Sequence, residues 1–73
     1  MTADDLKRSL GRVIARRRLA AGLSQADLAR RLGWPKASLV NYEQGRRSPP
    51  LPALLAIADA LHCRPGELLD DAV

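Results

Sequence analysis

Gly33-Trp34-Pro35 constrains this chain more than any other three residues, because a helix cannot run through it. Pro35 has no amide hydrogen, fixes its own φ and pushes Trp34 toward an extended shape. Gly33 takes up the left-handed conformation that closes a helix. On the N-terminal side, Ser24 stands three residues before Asp27, close to a capping box with Asp where Glu or Gln is usual. Leu28, Ala29 and Leu32 then recur at helical spacing on one face. Beyond the break, Leu39, Tyr42 and Glu43 share one side of a second run, and Lys36, Ala37, Val40 and Asn41 share the other. Two short helices joined by a Gly-containing turn make a helix-turn-helix unit, here Ser24 to Glu43.

The rest of the chain reads as helices around that unit. A first helix is expected over 6–21, with residues 1–5 frayed and Asp4 or Asp5 near its positive end. Its apolar stripe is Leu6, Leu10, Val13, Ile14 and Ala21, with Arg18 in the same register. Gly22 ends it, and Leu23 precedes the Ser24 cap as a hydrophobic staple. The second helix spans 25–32 and the third 36–44, stopped by Gly45. Arg46, Arg47 and Ser48 form a polar loop before Pro49 and Pro50. A fourth helix begins at Leu51 or Pro52 and ends at Leu61, with Leu51, Leu54, Leu55, Ala58 and Leu61 turned inward. The fifth is short, 65–69, with Leu68 and Leu69 closing the core, Cys63 as a filler and a frayed tail over 70–73. Apolar residues make up 47% of the chain, but only Trp34 and Tyr42 are aromatic and β-branched residues are few, which favours helices over a sheet. The expected architecture is all-α: one compact five-helix domain over 1–73, with its core in about 6–69 and the helix-turn-helix at helices 2 and 3.

The same residues exclude several classes of function. One cysteine allows no internal disulfide and no metal cluster. His62 and Cys63 are adjacent in sequence, but catalytic Cys and His are brought together by a fold and oriented by a third group, which is not evident. There is no glycine-rich phosphate loop. No catalytic residue, cofactor or metal is expected. No apolar run approaches membrane-spanning length, and the chain opens on Asp4 and Asp5 rather than a signal peptide, so a soluble intracellular protein is expected.

Charge is distributed unevenly. Residues 6 to 47 hold eleven of the twelve Lys and Arg against only Asp27 and Glu43, whereas residues 48 to 73 hold Arg64 against Asp59, Glu67, Asp70 and Asp71. The basic part coincides with the helix-turn-helix, the footprint expected for a polyanion partner. Arg8, Arg12 and Arg16 fall at four-residue spacing on another face and read as solvated.

The stretch LSQADLA (Leu23 to Ala29), Gly33, Leu39, Tyr42-Glu43 and Gly45 together resemble the helix-turn-helix of the Cro/cI-type (xenobiotic response element) repressor family. The likeness covers about residues 10 to 69. It departs from the family at Trp34-Pro35, where an aliphatic residue and then Ser or Thr are usual, and at Pro50, which replaces a Ser or Thr cap. The resemblance implies a sequence-specific regulator of double-stranded DNA, of the repressor kind, that commonly works as a homodimer, in the cytoplasm of a bacterium or encoded by a phage. It also names a partner for Arg18. An arginine in a core stripe must snorkel out or meet a carboxylate, and in this family the residue at that position pairs with the glutamate closing the recognition helix, here Glu43.

Placed in a major groove, the third helix would present Lys36, Ala37, Val40 and Asn41 to base edges. Lys36 suits guanine or a phosphate, Ala37 and Val40 suit thymine methyls, and Asn41 suits adenine or a phosphate. Gln25, matching the family's glutamine at the start of helix 2, would hold phosphate together with Ser38, Arg46, Arg47 and Ser48. Arg17 is a further phosphate ligand if the first helix presents that side. Trp34 and Tyr42 read as structural. The alternative is a protein-interaction module on the same scaffold, such as an antitoxin with a toxin partner.

Overall fold

The computed structural model describes all residues, 1–73. Its five helices are α1 (Ala3–Ala20), α2 (Gln25–Leu32), α3 (Lys36–Glu43), α4 (Leu51–Ala60) and α5 (Pro65–Ala72). There is no strand.

α1 starts earlier than the sequence pattern suggests. Residues 1–5 do not form a frayed end: Thr2 is the N-cap, its hydroxyl accepting from the Asp5 amide at 3.1 Å while the Asp5 carboxylate accepts from the Thr2 amide at 3.2 Å. The same reciprocal pair opens α2, with Ser24 and Asp27 at 3.0 and 3.1 Å. Each satisfies two amides that a helix start would otherwise leave open. Gly33, at φ 71°, closes α2 in the left-handed region, and Trp34 N–H donates back to the Ala29 carbonyl at 2.9 Å. Gln44 and Leu61 lie just outside α3 and α4 as C-caps rather than inside them. α5 runs on to Ala72, so 70–73 is not a frayed tail; buried Ala72 extends its inward face beyond Leu68.

The core draws on every helix: Leu10, Val13 and Ile14 from α1, Leu28 and Ala29 from α2, Leu39 from α3, Leu54, Ile57 and Ala58 from α4, and Leu68 and Ala72 from α5. The orientation of α4 differs from the expectation. Leu51 and Leu55 are exposed, and Ile57 is fully buried in their place. The set 54, 57, 58 and 61 and the stripe 51, 54, 55 and 58 both follow the i, i+3, i+4, i+7 pattern of a helix face, so spacing does not choose between them and the packing of α4 does. Leu69 likewise faces solvent while Leu68 is buried. Cys63, Trp34 and Tyr42 are partly buried and pack against the core.

One contact sets how closely α1 can approach α3. A Cβ at Gly11 would lie 2.5 Å from the carbonyl oxygens of both Tyr42 and Glu43. Only glycine lets α1 sit directly on the last turn of α3, which fixes the inner side of α3 and thereby aims its outer side.

Candidate nucleic-acid interface

The site is built on α3, and Glu43 anchors it from within. Arg18 Nε donates to Glu43 Oε2 at 2.7 Å and Arg18 Nη2 to Oε1 at 3.1 Å, a bidentate pair; Arg18 Nη1 donates to the Leu23 carbonyl at 2.9 Å. Both residues are only 8% exposed. A charge pair this deep offsets its desolvation only when its remaining donors and acceptors are filled, and here Gln25 Nε2 donates to Glu43 Oε1 at 3.0 Å. Glu43 therefore joins α1, the first turn of α2 and the last turn of α3. Gln25, read from the sequence as a phosphate ligand, uses one of its two amide hydrogens on Glu43, and the second remains for another acceptor.

Around that anchor lie the other residues singled out in the sequence. Lys36 and Ala37 are exposed, and Val40 and Asn41 are half-buried on the same side of α3. Lys36 and Gln25 line one cleft of about 550 Å³, together with Arg18, Leu19, Ser24 and Ala26. Pro35 caps α3 without a side-chain hydrogen bond; the Ser38 amide donates to the Pro35 carbonyl at 3.1 Å, which leaves the Lys36 and Ala37 amides of the first turn open. Arg46, Arg47 and Ser48 are exposed after α3, and the Asn41 carbonyl accepts from the Arg46 and Arg47 amides at 3.0 and 3.4 Å. The arginine loop is thus tied to the turn that presents Asn41. Ser38 stands apart from this group. It lies in a second groove, of about 480 Å³, with Trp34, Pro35, Tyr42 and the start of α4. Trp34 and Tyr42 meet there edge to face, with ring centroids 5.9 Å apart.

Arg17 faces the other way. Its Nη2 donates to Asp71 at 2.9 Å and lies 3.8 Å from Glu67, joining α1 to α5. Arg17 is therefore spent on the fold, and the hydrogen bond to Asp71 raises its pKa. The sequence reading missed this pairing, because it spans more than fifty residues and only the docking of α5 brings it about. It also missed Gly11, although a glycine in the middle of an apolar-striped helix signals close packing.

Backbone and hydroxyl donors from Thr2 and Ser24 hold the Asp5 and Asp27 carboxyls below the usual range. Burial pushes the Cys63 thiol up, away from the reactive thiolate. His62 is exposed, in the left-handed region at φ 56°, where glycine would be the easier residue.

Five helices with an uncapped, outward-facing α3 held by its inner side define a helix-turn-helix regulator. A family model described as a helix-turn-helix domain matches residues 9–72. The restriction-modification controller protein C.AhdI from Aeromonas hydrophila is 36% identical; the match covers 88% of this chain and 96% of that one, with a TM-score of 0.82. The clp gene regulator ClgR from C. glutamicum shares the fold at 24% identity and a TM-score of 0.86, over 92% of this chain and 87% of that one. No curated protein sequence gives a significant match. The chain belongs to the helix-turn-helix family of Cro/cI (xenobiotic response element) type, whose members are DNA-binding transcriptional regulators and not enzymes. No helix is long and apolar enough to cross a membrane.

Proposed function

We propose that this protein is a sequence-specific repressor that lays α3 in the major groove of an operator and acts by occupying it. The observation that carries this reading is Lys36. It is the first residue of α3, which has no acidic residue in its first turn and no side-chain cap. A cation there opposes the helix dipole, so the fold gains nothing from it, whereas a guanine edge or a phosphate does. Ala37, Val40 and Asn41 continue the same side toward base edges, and Asn41 also carries the loop of Arg46, Arg47 and Ser48 toward the adjacent backbone. Gln25 takes a phosphate from the cleft it shares with Lys36, and Ser38 takes one separately, from the groove it shares with Trp34 and the start of α4.

A single α3 touches few base pairs, so the protein works as a homodimer, with two copies of α3 about 34 Å apart on one face of the duplex. Exposed Leu69 on α5 and Val73 just beyond its end supply the apolar contact between copies; Leu68, fully buried, takes no part. C.AhdI is a restriction-modification controller, and a comparable role in controlling a small set of genes in the cytoplasm fits this chain.

The test is a binding titration on duplex recovered by selection from random DNA, against a scrambled duplex, at moderate salt. A palindromic selected site bound roughly a thousandfold or more tighter than the scramble is expected. Affinity should fall steeply with salt as phosphate contacts release counterions. Equal affinity for both duplexes contradicts sequence-specific recognition.

A further inference from the structure

The outer face of α1 carries charge that the fold leaves without a carboxylate at Arg12 and Arg16. Arg8, Arg12 and Arg16 recur every four residues and all three are exposed. Like charges at that spacing on a helix repel each other and destabilise it. Arg8 meets Asp5 at 3.1 Å, Arg12 reaches only the Ser9 hydroxyl at 3.3 Å, and no carboxylate bridges Arg12 or Arg16. This contrasts with Arg17 and Arg18 on the same helix, each of which is paired with a carboxylate.

The position of the stripe is fixed at one end. A Cβ at Gly45 would lie 2.7 Å from Arg8 Cγ, so Arg8 rests on the residue that leads into Arg46 and Arg47. The stripe therefore begins beside the arginine loop and runs away from it along α1. Each step of four residues advances about 6 Å, near twice the roughly 3.4 Å axial spacing of phosphates along one strand of a duplex.

We infer that Arg8, Arg12 and Arg16 form a second phosphate track, which takes the backbone of duplex flanking the stretch read by α3. The inference rests on the DNA-binding reading above. Flanking duplex meets the track by bending toward α1, and the added phosphate contacts repay the bend. The occupant is the sugar-phosphate backbone of double-stranded DNA, so the track adds affinity without base preference.

The test uses the Arg12→Gln/Arg16→Gln double variant on two duplexes: the selected operator alone, and the same operator extended by one helical turn on each side. Wild type should bind the extended duplex more tightly. The double variant should lose about tenfold on the extended duplex and nothing on the short one, and the slope of log K against log salt on the extended duplex should shrink by about 1.8, for two phosphates. The Arg12→Lys/Arg16→Lys variant should retain the length dependence. The thermal midpoint of the Gln variant should equal or exceed that of wild type, because a like-charge pair has been removed. Equal loss on both duplexes, or a lowered midpoint, overturns the inference. Loss on neither duplex also overturns it, and turns attention to an acidic protein surface as the occupant. Absence of operator preference in wild type would defeat the DNA-reading proposal by itself; the length dependence measured on scrambled duplex would still decide the track.

Discussion

α2 and α3 are each eight residues long, adjacent in the chain and packed against each other, yet they are built on opposite rules. α2 has a capping box at its start, Asp27 in its first turn, Arg30 and Arg31 in its last, and a left-handed glycine at its end. Every charge agrees with the helix dipole. α3 begins on a proline with no side-chain cap, carries Lys36 at its positive end and Glu43 at its negative end. Every charge opposes the dipole. α2 is thus stabilised largely by its own sequence. α3 is held from outside, by Arg18 and Gln25 on Glu43 and by the close seat that Gly11 gives it on α1. The difference shows which helix is scaffold and which is offered to a partner: the open amides and the misplaced lysine are on the helix whose outer side faces away from the core.

The contrast can be broken most severely at Glu43. Glu43→Ala leaves the Arg18 guanidinium buried with only the Leu23 carbonyl, and should cost about 3–5 kcal/mol in denaturant unfolding. Replacing both partners with apolar residues, as in Arg18→Met/Glu43→Leu, should restore much of that loss, since the desolvation of two ions is then avoided. A double variant as unstable as the sum of the singles would show that the pair is not a coupled unit. Gly11→Ala comes next. Its Cβ would press on two backbone carbonyls that cannot rotate away, so a loss near the upper end for overpacking, about 3 kcal/mol, is expected. DNA binding should weaken further than stability alone explains, because α3 is displaced.

On the α2 side the effects are smaller. Ser24→Ala should cost about 1 kcal/mol. The associated pH dependence has a definite sign. Asp27 is held below its ordinary value, so its contribution is fully present above the unfolded-state value near 3.8 and is lost as pH falls through the lower folded-state value. Urea unfolding should therefore show a shallower acid decline in Asp27→Asn than in wild type below about pH 4. The smallest change is Pro35→Ser, which gives α3 the kind of cap α2 has. A gain of about 0.5 kcal/mol is expected, with weaker DNA binding as the hydroxyl occupies an amide left open for phosphate. A variant that bound DNA more tightly would reverse that assignment.

Much of the fold is legible in the sequence. Ser24, Asp27, Gly33 and Pro35 mark the ends of α2 and the start of α3 by local chemistry alone, and the structure has those ends at the same residues. The Thr2–Asp5 box carried the same signal as Ser24–Asp27 but stood where fraying is the ordinary expectation. What escaped was set at long range. The extension of α5 to Ala72 depends on a buried methyl and on Asp71 meeting Arg17. The rotation of α4 follows from which of its leucines finds a neighbour, and a leucine-rich helix does not announce that. At the site, the outward side of α3 could be read from spacing, whereas the bond from Gln25 to Glu43 could not, because it needs the angle between two helices.

The central claim is that the outer side of α3 reads bases while the loop after it only holds the backbone. The most direct test is the base preference of Asn41→Ala and of Arg47→Ala, each measured by selection from random DNA and by titration on the wild-type site. Asn41→Ala is expected to relax the preference at one position of each half-site, at a cost of about 1–3 kcal/mol there, and Arg47→Ala to weaken all sequences alike with a salt slope smaller by about 1. An Asn41→Ala variant with unchanged preference, or an Arg47→Ala variant with a changed one, would contradict the account.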